Sequence, residues 1–587
     1  MFLPLQLLLA FQARAHIVPP TSANTSPVGI VSKDIAGADA LDEVVAAMGG
    51  VEALNKIDSF TYHANDIYRS ATLTQTYNLY SLDQSVASAG SQIISFEGNG
   101  TMLKSRIDRA YIYNEYWTWA FPDLQPGVNM SLIVRDDADQ YACFVQGQNN
   151  FFSPNLTFAQ GYADAYLTDY LIHQTHQFAI PWMVQRFMSD KAKVQAYEVW
   201  DPYSSAMYIA ITHGQLNLTI LVDNTTNLPH AIRSTEDHQI YGPSTSDLVL
   251  TGYSNVSIGD DAYFALPHRL QTIYNSRYVL EDILVDTITI NDRYPDSFFD
   301  GRAPLPNPED QSQSGGMTPA KPIQSPEYPR SEVHEFFETG LWGGPFGDFF
   351  NATDVVVEYP DPTFTKIMYI YVGFPDYVQL LVEHTDGFII TDAPAHRSTI
   401  ILEWLQQFRP DKIITHVVPS HHHRDHAGGV GDYVGAGATL VVPKVAKDFY
   451  NQTGQQLKIA LYDAENPFVL RDDEVEFRSF WKENNPHAED WSFAVATRAQ
   501  PKDGDVFALF NADVVNPGTE ALRWDTGSAR DFLIEAVRAN VPRSAILVGA
   551  HGSTNNATST CQALVEIARI VGFDYPSLNS ADWVRAQ

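Results

Sequence analysis

Seven prolines fall within the thirty residues 301–330, at Pro304, Pro306, Pro308, Pro319, Pro322, Pro326 and Pro329, with Gln311-Ser-Gln-Ser-Gly-Gly316 among them. Each proline removes a backbone donor and fixes φ, so this stretch can be neither a helix nor a central strand. It reads as a linker, and it divides the chain into two parts that each need a core. A chain of 587 residues is long enough for that, and 44% apolar composition supplies the material.

The two parts differ in pattern. After a helical spacing of Leu41, Val44, Val45, Met48 and Leu54 around Gly49-Gly50, residues 60–293 alternate in short runs. Ser59-Phe-Thr-Tyr-His-Ala64, Leu216–Val222 and Leu284–Ile290 are examples, separated by turns such as Gly98-Asn99-Gly100. The expectation is a mostly antiparallel sheet, flat or curled into a half-barrel, with a helical insert over Phe158–Met188. Beyond the linker the pattern becomes α/β. A hairpin is expected at Asp386-Gly387, a helix through Ile400, Ile401, Trp404, Leu405 and Phe408 to Pro410, and strands at Ile413–Val418 and Thr439–Val442. The expected organisation is a signal peptide (1–15), a flexible leader (16–35), a β-rich part (36–300), the linker (301–332) and an α/β part (333–587).

The start of the chain points outward from the cell. Phe2–Phe11 is an apolar run too short to span a bilayer, and Ala13-Arg14-Ala15 places small residues before His16. Ten Asn-x-Ser/Thr sequons, at Asn24, Asn99, Asn129, Asn155, Asn217, Asn224, Asn255, Asn351, Asn451 and Asn556, suit a glycosylated, secreted protein. A formal charge of −33 disfavours nucleic acid and anionic membrane surfaces as partners. Cys143 and Cys561 are expected to be free thiols, far from a disulfide framework or a cysteine-based zinc site.

The chemistry concentrates in one turn, Pro419-Ser-His-His-His-Arg-Asp-His-Ala-Gly-Gly429. Four histidines and an aspartate within six residues, at the end of an expected strand, offer the imidazole and carboxylate ligands that Zn²⁺ takes. Gly428-Gly429 leaves room for close backbone packing beside them.

Ser420–Gly429 resembles the His-x-His-x-Asp-His signature of the metallo-β-lactamase superfamily, and the resemblance covers about residues 333–587. It implies an αβ/βα sandwich, with Asp392 as a structural aspartate. It also implies one metal on His421, His423 and His487, a second on Asp425, His426 and His551, and Asp513 bridging the two. His487 follows Pro486 and precedes Ala488, a departure from the usual Gly-His-Thr pattern; His422, between two ligands, is expected to point away, and His384, His396 and His416 to be structural or to support the ligands. Two Zn²⁺ ions and a metal-bridged hydroxide are implied, with Asp425 and Asp513 as catalytic residues. A bridging aspartate is similar to that of the glyoxalase II and lactonase branch, so the expected substrate is a small acyl compound: an ester, thioester or lactone. An iron-dependent oxygenase on the same fold, or a ligand-binding protein with a vestigial site, are the rival readings. The opening of the β-rich part, Val44–Leu54, resembles half-barrel modules similar to lipoprotein-carrier folds.

Overall fold

The computed structural model describes residues 29–71, 73, 76–80, 86–98, 102–114, 128–137, 140–147, 160–163, 165–201, 205–213, 216–259, 261–295, 297–299, 329–339, 350–373, 377–452, 457–515, 526–551 and 556–586. The expected signal peptide, most of the leader and linker, and the sequons at Asn24, Asn99 and Asn155 lie outside them.

Among the described residues 29–290, 15 strands build one antiparallel sheet, from Gly29–Ile35 at one edge to Gln160–Tyr162 at the other, and Ser254–Gly259 pairs with Ala262–Leu266 as a separate hairpin. Gly29–Ile35, read above as the end of a flexible leader, pairs with Val194–Asp201 as that edge strand. The expected helical insert begins with the short strand Gln160–Tyr162 and continues as the helices Ala165–Phe178 and Ile180–Ser189. These two helices and Gly37–Met48 cover one face of the sheet. Phe60, Phe96 and Trp182 stack there at ring separations of 4.7 and 5.2 Å, and Leu41, Val44, Val45 and Met48 are buried as their spacing requires.

The sheet must curl. Cys143, on the thirteenth strand of the order, donates to Thr168 O, while Gln177 Nε2 of the same helix donates to Ile232 O on the fifth strand. Eight steps in a flat sheet would separate those strands by about 40 Å, yet nine helical residues span only about 14 Å. The sheet therefore wraps the helix, which is the half-barrel alternative of the two expected.

Residues 355–563 form two further sheets of seven and six strands. In the first, the hairpin Gln379–His384 and Gly387–Thr391 continues in parallel to Ile414–Val418 and Thr439–Pro443. Gly387 has φ 148°, and a Cβ there would strike Ile413 O. The strand Ile367–Val372 explains the layering. Met368, Ile370 and Val372 pack against the helix Ser398–Phe408, whereas Ile367, Tyr369 and Tyr371 face the second sheet. Both faces are buried, so the strand has no polar position to spare. The outer face of the second sheet holds Phe532 and Leu533 of the helix Thr526–Arg538, Ile567 of Leu564–Ile570, and Trp583. The order of layers is helices, sheet, sheet, helices.

The two parts do not keep wholly separate cores, as the linker suggested they would. Leu79 and Ile240 from the curled-sheet part lie in the helix-side core of the sandwich, and Val333, Tyr377 and Ala395 lie in the core under the curled sheet. Polar contacts reinforce this: Gly431 N donates to Gln239 Oε1 at 3.0 Å, and Arg330 Nε to Asp169 at 3.0 Å. Arg330–Thr339 is a helix, so the expected linker ends inside an ordered element.

Candidate metal centre

The strand Ile414–Val418 ends at the histidine turn, as its apolar run followed by Pro419 requires. Asp392, in the left-handed region at φ 56°, leaves the neighbouring strand and anchors this turn twice. Its Oδ1 accepts from Ser420 N at 2.6 Å and its Oδ2 from His426 Nδ1 at 2.8 Å. That second bond turns His426 Nε2 inward, where it is buried and faces Asp513 and Asp425. Gly428 and Gly429 sit between the short helices Arg424–Ala427 and Val430–Gly435. A Cβ on Gly429 would collide with the Ser398 side chain.

All seven expected ligands converge. His421, His423, His487 and Asp513 form one group of metal-ligating type, and Asp425, His426, Asp513 and His551 a second. Asp513 belongs to both. Its Oδ2 lies 3.2 Å from His421 Nε2, 3.1 Å from His487 Nε2 and 2.9 Å from His426 Nε2, and its Oδ1 lies 2.9 Å from His551 Nε2. Asp425 Oδ2 is 3.3 Å from both His426 Nε2 and His551 Nε2. Ligands at tetrahedral Zn²⁺ distances stand about 3.3 Å apart, so these separations suit ions of that size. Asp513 itself has φ 63°, a conformation that aspartate tolerates better than most residues.

His487, with its unusual neighbours, is held by its own loop. Asn485 Oδ1 accepts from His487 N at 2.8 Å, Trp491 Nε1 donates to Ala512 O, and Ser492 N donates to Ser420 O, binding this loop to both others. His422 turns away as expected, its Nδ1 lying 2.6 Å from Asp490 Oδ1. His384 bonds Thr415, as does His416, and buried His396 packs against Tyr166. Cys143 and Cys561 are free thiols.

Electrostatics favour ligation. Burial, with His426 beside it, pushes His421 down to about 3, and burial together with His421 and His487 holds His423 well below the usual imidazole range. Burial opposes ionisation of Asp425 and Asp513, but the surrounding histidines, His426 foremost with His551 and, for Asp513, His421, together outweigh it and both stay well below the usual carboxylate range. Neutral imidazoles and ionised carboxylates are the forms that bind metal. Burial resists protonation of His426, yet Asp513, Asp425 and Asp392 together raise it far above its ordinary value; in this cluster of carboxylates a cation is stabilised.

Three residues near the site carried no signal in the sequence. Asp490 pairs with His422, Glu489 bonds the chain at Tyr77 and Leu79, and Thr76 offers its carbonyl to His423.

No protein-family model matches the chain, and no curated protein matches it in sequence. Solved structures similar to it include a metallo-β-lactamase from Pontibacter korlensis, at 14% identity over 37% of this chain and 97% of that one, with a TM-score of 0.27. A subclass B3 metallo-β-lactamase of Bradyrhizobium japonicum aligns at 16% identity over 40% and 92%, with a TM-score of 0.25. One from Cronobacter sakazakii aligns at 13% over 37% and 85%, with a TM-score of 0.27. These structural neighbours are metallo-β-lactamases. The layered sandwich and the two ligand groups stand on this chain's own pairing and distances.

Proposed function

We propose that the chain is a dinuclear metal-dependent hydrolase of the bridging-aspartate kind, acting on a small ester, thioester or lactone. One ion is assigned to His421, His423 and His487, the other to Asp425, His426 and His551. The observation that carries this reading is the position of Asp513, with one carboxylate oxygen within 3.2 Å of His421, His487 and His426 and the other 2.9 Å from His551, so that it adjoins residues of both groups. Divalent ions held there, zinc in this proposal, would supply an acidified water and a Lewis acid for a carbonyl oxygen. The chain's own residues do the rest. Asp425, buried and ionised, can accept a hydrogen bond from the attacking water and orient it. Asp392 and Ser420 hold the turn rigid, so the ligands need little reorganisation.

The proposal includes a secreted, glycosylated chain with a β-rich first part and a catalytic second part. The exposed side chains of Asn217, Asn224, Asn255, Asn351, Asn451 and Asn556 support it. A mature N-terminus at His16 and a glycosidase-sensitive mass are expected on secretion from a eukaryotic host.

Metal analysis with a panel of esters, thioesters and lactones tests the activity. Two zinc ions per chain and turnover of at least one acyl substrate are expected. Asp513→Ala should lose one or both ions and nearly all turnover, while Asp513→Asn should keep more metal and stay slow. Full metal and normal turnover in Asp513→Ala would remove Asp513 from the site; bound iron with no acyl turnover would favour the oxygenase.

A further inference from the structure

The two ligand groups are supported differently. His426, in the second, is oriented by Asp392, one strand away in the same sandwich. His423, in the first, is oriented by the other part of the chain: its Nε2 lies 3.1 Å from the carbonyl oxygen of Thr76, and this contact is buried. A carbonyl only accepts, so the imidazole proton sits on Nε2 and the Nδ1 lone pair is left for a ligand.

The residues beside Thr76 grip the loop of the third ligand. Glu489 N donates to Tyr77 O at 2.9 Å, and Leu79 N donates to Glu489 Oε2 at 3.1 Å. Glu489 is two residues from His487 and adjoins Asp490, which bonds His422 in the histidine turn. Leu79 is buried in the helix-side core of the sandwich, and the ring of Tyr80 meets Phe449 edge-on at 6.3 Å. The segment is therefore docked at both ends of its contact and touches both loops that carry the first ligand group.

We propose that Thr76–Tyr80 is a positioning element of the first metal site alone, its Thr76 carbonyl selecting the Nε2–H tautomer of His423 and Glu489 tying it to the loop of His487. This rests on the dinuclear reading above. It gives the β-rich part a task in the chemistry of the second part without supplying a catalytic residue.

The test uses the full chain with Zn²⁺ alone, in stepwise competition against a chelator. Glu489→Ala frees Leu79 N and should weaken one of the two ions about 10–100-fold, leaving the other within about twofold. Glu489→Gln keeps an acceptor for Leu79 N and should restore most of that affinity. In ¹⁵N-histidine-labelled, metal-free protein, with His423 assigned by His423→Gln, the wild type should show protonated Nε2 and bare Nδ1. Glu489→Ala should show a mixture. Two unchanged ions in Glu489→Ala, equal weakening of both ions, or a wild-type His423 protonated on Nδ1 would each overturn the positioning role while the dinuclear reading stands. A wild-type chain that binds no zinc would overturn the dinuclear reading, and this proposal with it.

Discussion

Asp392→Ala is the sharpest single perturbation of the site's framework. The wild-type carboxylate accepts from Ser420 N at 2.6 Å and from His426 Nδ1 at 2.8 Å, and all three residues are buried. Truncation leaves two buried donors without an acceptor. Each such donor costs about 1–3 kcal/mol, so the sandwich should lose about 4 kcal/mol. Asp392→Asn separates the two bonds. Its amide oxygen can still serve Ser420 N, but its NH₂ would then face His426 Nδ1–H, donor against donor. Relief requires His426 to move its proton to Nε2, the atom that points at Asp425 and Asp513. Asn should therefore cost about half as much stability as Ala, yet weaken the ion at His426 about 10–100-fold. Urea unfolding of the metal-free chain by tryptophan fluorescence gives the first quantity, and zinc competition against a chelator gives the second. An Ala variant destabilised by under about 1 kcal/mol, or an Asn variant with wild-type zinc affinity, would refute the assignment of Asp392 as the anchor of the turn.

Two further outcomes follow from local geometry. Gly429→Ala should destabilise the metal-free protein by about 1–3 kcal/mol, read as a lower unfolding midpoint, because its Cβ would meet Ser398 Cβ at 2.9 Å and Pro394 O at 3.0 Å. Burial opposes ionisation of Asp472, but backbone bonds from Val475 and Glu474 and bonds from Thr385 together outweigh it and bring it down to about 2. A depressed carboxylate contributes stability above its unfolded value near 4 and loses it as pH falls toward 2. The stability gap between wild type and Asp472→Asn should accordingly shrink across that window, and a gap independent of pH would contradict it.

What could be read from the sequence was what side-chain chemistry or periodicity encodes. The seven residues of metal-ligating type that the fold brings together were legible because four of them fall within six residues at a strand end, and the others follow apolar runs or a recognisable loop. The curl of the sheet was legible only as one of two alternatives, since alternation specifies faces and not curvature. Val430–Gly435 is helical despite its two glycines; Val430 and Tyr433, three apart, bury one face and override them. Thr76 was invisible in principle. It acts through its carbonyl, a group every residue possesses, and Glu489 looks like any acid on an acidic surface.

The strand order of the curled sheet also sets a timetable. Ser59–Ala71 lies between Val86–Gly98, its neighbour in sequence, and Tyr278–Leu284, which pairs Glu281 with Ser70. The early meander can pair as it leaves the ribosome, but one flank of its first long strand stays open until some 200 further residues have been made. At about 5–20 residues per second that is roughly 10–40 s of exposed backbone donors and acceptors. The interval falls in the first half of synthesis, when that open strand edge can meet another chain before its own partner exists.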